Sequence, residues 1–164
     1  MSATPIQSYN DLLAALTRDG VMHRASPAER SVMIPTRVGG ADAAMILRWA
    51  PDQGALHVVQ SLPVSAPAES HGRLNHALIL LNHALALPGL TLDMERGLLF
   101  YRSLLPILRV APPLLEDLRR LFSLVVRNSA DVTPALAEII AGARPPEDVV
   151  SGWLSAQRER RAEG

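Results

Sequence analysis

The stretch LNHALALPGLTLDMERGLLFYRSLLPI, Leu81–Ile107, reads as the last turn of an apolar helix, a stop, a strand, a tight turn and a second strand. Pro88-Gly89 cannot continue a helix, and glycine commonly stands just past a helix end. Leu90, Leu92 and Met94 then alternate with Thr91, Asp93 and Glu95, the period of a half-buried strand. Glu95-Arg96-Gly97 makes a short hairpin link, with Gly97 able to take a positive φ. The following segment, Leu98–Leu105, is apolar in both registers and contains Phe100 and Tyr101.

Upstream, Ser8–Thr17 predicts a helix with Ser8 or Asn10 as its cap and Leu12, Leu13 and Leu16 as its stripe; Gly20 ends it. The polar, Pro27-containing segment His23–Arg30 reads as a loop. Three strands follow: Ser31–Arg37, where Pro35 suggests an edge, then Ala43–Ala50, then Ala55–Leu62. Gly39-Gly40 and Pro51-Asp52-Gln53-Gly54 link them, and links this short make antiparallel neighbours. Pro63–Pro67 breaks the pattern. A helix from about Ala68 to Leu87 carries Leu74, Leu78, Leu81 and Leu85 on one face, with Ile79 and Leu80 widening it.

Downstream of the hairpin, Pro112-Pro113 precedes a helix to about Asn128, with Glu116 and Asp117 in its first turn, favourable to the helix dipole. A separate helix Thr133–Ala141 is expected, capped by Thr133 with Pro134 at its first position. A last helix, Glu147–Arg160, follows Arg144-Pro145-Pro146. The sum is an α+β protein: a five-stranded antiparallel sheet with helices packed on one face, in the order α-βββ-α-ββ-α, plus a C-terminal helical extension.

The helix, the Pro-Gly stop, the run LxLDxExG (Leu90–Gly97) and the run YRxxLP (Tyr101–Pro106) together resemble the bacterial YbjN family, whose fold is like that of the type III secretion chaperones. The resemblance implies a domain over residues 8–128, with 129–164 as the helical extension. It further implies a non-catalytic protein that binds other proteins, chaperone-like or regulatory, as a homodimer with a cytoplasmic client. A stress-response or DNA-repair protein is a conceivable client. Secretion chaperones are acidic, whereas this chain has 16 arginines, no lysine and 16 acidic residues, a net charge of zero. A secretion role is therefore not expected.

The composition bounds the chemistry. Apolar residues make up 48% of the chain, enough for a packed core in one domain of this length. The absence of cysteine removes disulfides, thiol nucleophiles and thiolate metal sites together. The opening MSATPIQSYNDLL lacks a basic segment followed by an apolar run, so no secretory leader is expected. The apolar helix around Ala77–Leu87 is interrupted by Asn82 and His83 and is too short for a bilayer. A cytoplasmic protein without membrane contact is the expectation. Zero net charge argues against nonspecific nucleic-acid binding.

No enzymatic motif stands out. His76 and His83 share a helix face but lie two turns apart, about 10 Å, and His71 diverges from His76, so no metal site is expected. No GxSxG, GxGxxG or P-loop pattern occurs. Asp93 and Glu95 would sit about 7 Å apart on one strand face, and are better read as its polar side. Catalytic residues, cofactors and metals are therefore all expected to be absent.

The sheet is left as the functional surface. If Met45, Leu47, Trp49, Leu56, Val58 and Leu62 face the helices, the other face holds Ala44, Ile46, Arg48, His57 and Val59. A sheet covered on one side should alternate cleanly, and this one carries apolar residues on both. The second face would hold Met33, Ile46, Val59 and either Phe100 or Tyr101. The candidate protein-binding or dimer surface is Met33, Ile46, Arg48, His57, Val59, Phe100 and Arg102. It is buried by self-association, by a client segment, or by the tail helices folding back over it. Two other readings remain: a self-associating structural module without a client, and a nucleic-acid-associated factor. The latter would use Arg119-Arg120-Arg127 and Arg158-Arg160-Arg161, otherwise solvated helix faces.

Overall fold

The computed structural model describes residues 5–108 and 111–162, with Arg161 described in its backbone alone. Helix α1 (Tyr9–Arg18) is followed by β1 (Arg24–Ser26), β2 (Ser31–Val38), β3 (Ala41–Ala50) and β4 (Ala55–Ser65). Helix α2 (His71–Ala84), the strands β5 (Leu90–Asp93) and β6 (Leu98–Pro106), and helices α3 (Leu115–Ala141) and α4 (Pro146–Ala162) complete the chain. The strands form one antiparallel sheet in the order β1-β2-β3-β4-β6-β5.

The expected class holds, but the sheet has six strands rather than five. The extra one, β1, lies in the segment expected to be a loop. It pairs Arg24 with Met33, Ala25 with Val32 and Ser26 with Ser31. Three residues with no apolar alternation leave no sequence signal. Pro35 explains why β1 stops where it does: lacking an N–H, it cannot extend the ladder along that edge of β2. β4 also runs further than expected, through Pro63 to Ser65, across a register shift between Ser61 and Ser65. The long helix is shorter than expected, with a 3-10 turn over Ala68–Ser70 before α2 begins.

The larger correction concerns α3. No helix starts at Thr133: α3 is continuous for 27 residues and passes through Pro134. It thus runs across the boundary between 128 and 129 at which the helical extension was expected to begin. The Thr133 hydroxyl donates back to the Ser129 carbonyl at 2.6 Å instead of capping a new helix. A proline inside a helix removes a backbone bond. Here Val132, Ala135, Leu136 and Ile139 continue the buried stripe past it, and Pro134 itself is exposed. Gly142 closes α3 in the left-handed conformation.

The core lies between the sheet and a helical layer. Val32, Ile34, Met45, Leu47, Leu56, Val58, Leu99 and Tyr101 line the inner face and meet Leu12, Leu16, Leu74, Leu81, Leu118, Val125 and Leu136 from α1, α2 and α3. Burial of each such side chain contributes about 1.5–3 kcal/mol. Gln60 is fully buried in the same layer, yet its amide is bonded to Thr36, Ala44 and Ser61. α4 packs on α2 and α3, held by buried Val149 and Val150 and by the Trp153 indole N–H donating to the Asp131 carbonyl at 2.9 Å.

The Pro88-Gly89 stop is a built junction. The Asn82 side-chain oxygen accepts from the N–H groups of Gly89 and Leu90, both at 2.9 Å, and its amide donates to the Leu90 carbonyl. The Gly89 carbonyl takes the Arg102 N–H at 2.8 Å. The buried Tyr101 hydroxyl donates to the Leu87 carbonyl and accepts from the Asn128 amide at 2.9 Å, joining β6 to the link and to α3. A Cβ on Gly89 would collide with the Arg102 carbonyl. The far end of α1 is tied to α3 by Asp19, which accepts from the Arg119 guanidinium, and that hydrogen bond holds the Asp19 carboxyl below its ordinary range.

Gly89→Ala is accordingly expected to cost about 3 kcal/mol in urea unfolding. Gly72→Ala in α2, where an added Cβ meets nothing within 4 Å, should be neutral or stabilising by up to about 1 kcal/mol. A depressed carboxyl pKa stabilises the fold above the unfolded-state value, near pH 4, and loses that contribution as pH falls through the folded-state value. Unfolding titrations of Asp19→Asn should therefore show a flatter fall in stability below about pH 4 than the parent chain shows.

Candidate functional site

The antiparallel register decides what the outer face of the sheet presents. Arg24 pairs with Met33, Met33 with Ile46, Ile46 with Val59, and Val59 with Arg102. With strands about 4.8 Å apart, this forms a single row about 19 Å long: three apolar side chains between two arginines. The next row places Ser31, Arg48, His57 and Leu104 opposite one another. On the other side, Pro35 pairs with Ala44, and Phe100 with Ser61 and Thr91.

All seven residues singled out from the sequence, Met33, Ile46, Arg48, His57, Val59, Phe100 and Arg102, fall on this face. The choice between Phe100 and Tyr101 is settled by the β6 register: Tyr101 is fully buried against the helices, and Phe100 is half-buried on the outside. The apolar surface is open, with Met33 36%, Ile46 42% and Leu104 54% exposed. Among the described residues α4 does not cover it, because it packs on α2 and α3 in the helical layer instead.

Two members of this surface escaped the sequence. Arg24 lies in the short strand that has no pattern of its own. Leu104 shares the parity of Phe100 and Arg102, so extending their alternation by one step finds it. Leu98, 38% exposed, continues the same parity at the other end of β6.

The electrostatics of the face are one-sided. Arg37 and Asp42 pair with each other at 3.4 Å. Arg24, Arg48 and Arg102 have no carboxylate partner among the described residues. The His57 ring nitrogen lies 2.7 Å from the Gln53 side-chain oxygen, which orients it against the turn between β3 and β4.

The remaining charged groups are placed structurally. Asp93 ends β5 and accepts from the N–H groups of Glu95 and Arg96 at 3.1 Å each, so Glu95 lies in the turn rather than beside Asp93 on a strand. Glu116 pairs with Arg120, and Asp117 accepts from the Leu114 N–H at 2.8 Å at the start of α3. His71 lies 3.0 Å from the Ala66 carbonyl and His76 3.3 Å from a Glu147 oxygen. Among the described residues no three histidine or acidic side chains gather closely enough to hold a metal ion, and no helix is long and apolar enough to cross a membrane. The chain matches no protein-family model and no curated protein.

The face assignment has a direct check. Ile46→Thr should change stability in urea by less than about 1 kcal/mol. Leu47→Thr, one residue along and fully buried, should cost about 3 kcal/mol or more.

Proposed function

We propose that this chain is a non-catalytic protein-binding module, a chaperone-like or regulatory adaptor of the YbjN kind, acting in the cytoplasm through the outer face of its sheet. The observation that carries this reading is the row Arg24–Met33–Ile46–Val59–Arg102. It sets exposed apolar side chains at the centre of a face whose other side is already occupied by helices. Apolar surface of this kind is stabilised by contact, and contact with a protein needs no chemistry beyond shape and complementary charge.

Charge favours a client over self-pairing alone. A partner segment with an apolar stripe and acidic flanks satisfies both the centre and the unpaired arginines. A second copy stacked face to face brings arginine towards arginine unless the two sheets are offset. A homodimer that joins through the apolar centre and leaves the arginine rim for a client combines both roles.

The double variant Ile46→Asp/Val59→Asp separates these possibilities from none at all. Light scattering at micromolar concentration should give twice the 17.7 kDa chain mass for the parent and the single-chain mass for the variant, with the fold retained. Affinity capture from native cytoplasm should yield a stoichiometric protein on the parent that is lost on the variant. A monomeric parent whose captured proteins are identical to the variant's would end the proposal.

A further inference from the structure

Away from the sheet, a cleft of about 730 Å³ opens where the end of α2, the middle of α3 and the last turns of α4 meet. Its apolar lining includes Leu85, Leu124, Leu154 and the ring of Trp153. The indole N–H is already engaged by the Asp131 carbonyl, so the ring offers its carbon surface. Three arginines line the same cleft: Arg127 from α3, and Arg158 and Arg160 from α4. They come from two arginine groups some 30 residues apart in the chain, joined only because α4 folds back along α3.

Arg160 lies 3.9 Å from Asp131, at the edge of an ion pair. Arg127 and Arg158 have no carboxylate partner among the described residues. With His83 counted as neutral, three guanidinium groups against the single carboxylate of Asp131 leave the lining with a net charge of +2, in a chain whose net charge on the same count is zero. A second, independent feature sits beside them. The Gln157 side-chain nitrogen is buried without a hydrogen-bond partner. As built, the amide donor of a lining residue is therefore left without an acceptor. Buried polar groups of this kind normally have a partner.

We propose that this cleft binds a phosphate monoester with an apolar or planar organic body, a ligand of nucleotide size. A phosphate monoester carries a charge near −2 at neutral pH, matching the excess on the lining. Guanidinium forks meet phosphate oxygens in bidentate geometry. The cleft volume falls within the ordinary range for small-molecule sites, about 300–1,000 Å³. The leucines and the Trp153 ring supply contact for the organic part. A nucleic-acid strand is the poorer fit. It needs an extended run of available cations, but Arg119 and Arg120, next along α3, are engaged by Asp19 and Glu116.

The full chain titrated with AMP tests this directly. Trp153 lines the cleft whereas Trp49 is buried on the inner sheet face, so saturable quenching that disappears in Trp153→Phe reports the site. The thermal midpoint should rise with AMP concentration by mass action. Arg127→Ala/Arg158→Ala should weaken AMP at least about tenfold, as loss of a charge-assisted fork does, without lowering the urea midpoint of the unliganded chain. Adenosine should not bind, and inorganic phosphate should bind more weakly than AMP. Absence of a saturable response to AMP and to inorganic phosphate overturns the proposal, as does undiminished AMP binding in the double variant. Inorganic phosphate binding as tightly as AMP overturns the organic-body half and leaves a free-phosphate site. Salt-dependent binding of a DNA oligonucleotide tighter than AMP, and sensitive to Arg119→Ala/Arg120→Ala, replaces it with a nucleic-acid surface.

Discussion

A buried phenol hydroxyl sets the terms for the rest of the molecule. Tyr101 is fully enclosed, and a hydroxyl left unpaired in such a place costs about 1–3 kcal/mol. It is satisfied from two directions, by the Leu87 carbonyl and by the Asn128 amide. Burial also pushes its pKa upward, so it remains a neutral donor. Those two bonds require the link between α2 and β5, the strand β6 and the helix α3 to meet at one point. Asn82 then fixes the same link from the α2 side through three further bonds, and Gly89, lacking a Cβ, lets its backbone close onto β6 at Arg102.

With that junction closed, the position of each layer follows. β6 is held with Leu99 and Tyr101 inward, and Phe100, Arg102 and Leu104 are turned outward. Its register with β4 then aligns Arg102 with Val59, and the meander carries the row on through Ile46 and Met33 to Arg24. One face of the sheet is saturated by α1, α2 and α3. α3 is amphipathic on a wider arc than the sheet uses, and α4 takes up its remaining apolar side together with that of α2. The outer sheet face is consequently left without an intramolecular cover from the described residues, although it carries apolar side chains. The proposed protein-binding role rests on that imbalance.

The same two-layer stacking keeps the two candidate sites apart. The open face belongs to the strands and is flat, apolar and rimmed by arginine. The cleft belongs to α2, α3 and α4 and is concave, lined by three arginines together with leucines and Trp153. Flat apolar surface suits a macromolecular partner, and a concave cationic one suits a small anion. Nothing in their geometry requires the two to act together.

The local sequence determined the parts of the fold whose signals are periodic or stereochemical. Alternation placed Met45, Leu47 and Trp49 opposite Ile46 and Arg48, because side chains on a strand switch faces at every residue. Ser8, with Asn10 as the other candidate, marked the start of α1 because a short hydroxyl can accept from the first-turn N–H groups; Pro88-Gly89 marked the break after α2 because proline lacks an N–H; Gly97 marked the hairpin because glycine takes a positive φ without strain. Five of the seven surface residues were legible on these grounds alone; Phe100 and Arg102 share the β6 parity that the local pattern left open. Tertiary structure decided what no local signal encodes. β1 exists because β2 has an edge for it to pair with as far as Met33, and three polar-flanked residues have no preference of their own. Pro134 is tolerated inside α3 because the buried stripe on either side outweighs one missing hydrogen bond. Phe100 was separated from Tyr101 only by the junction, since both registers of β6 are apolar and only one offers a hydroxyl its partners. Arg127, Arg158 and Arg160 became one site because α4 packs back along α3, a long-range contact between segments that are each, in sequence, no more than a charged helix face.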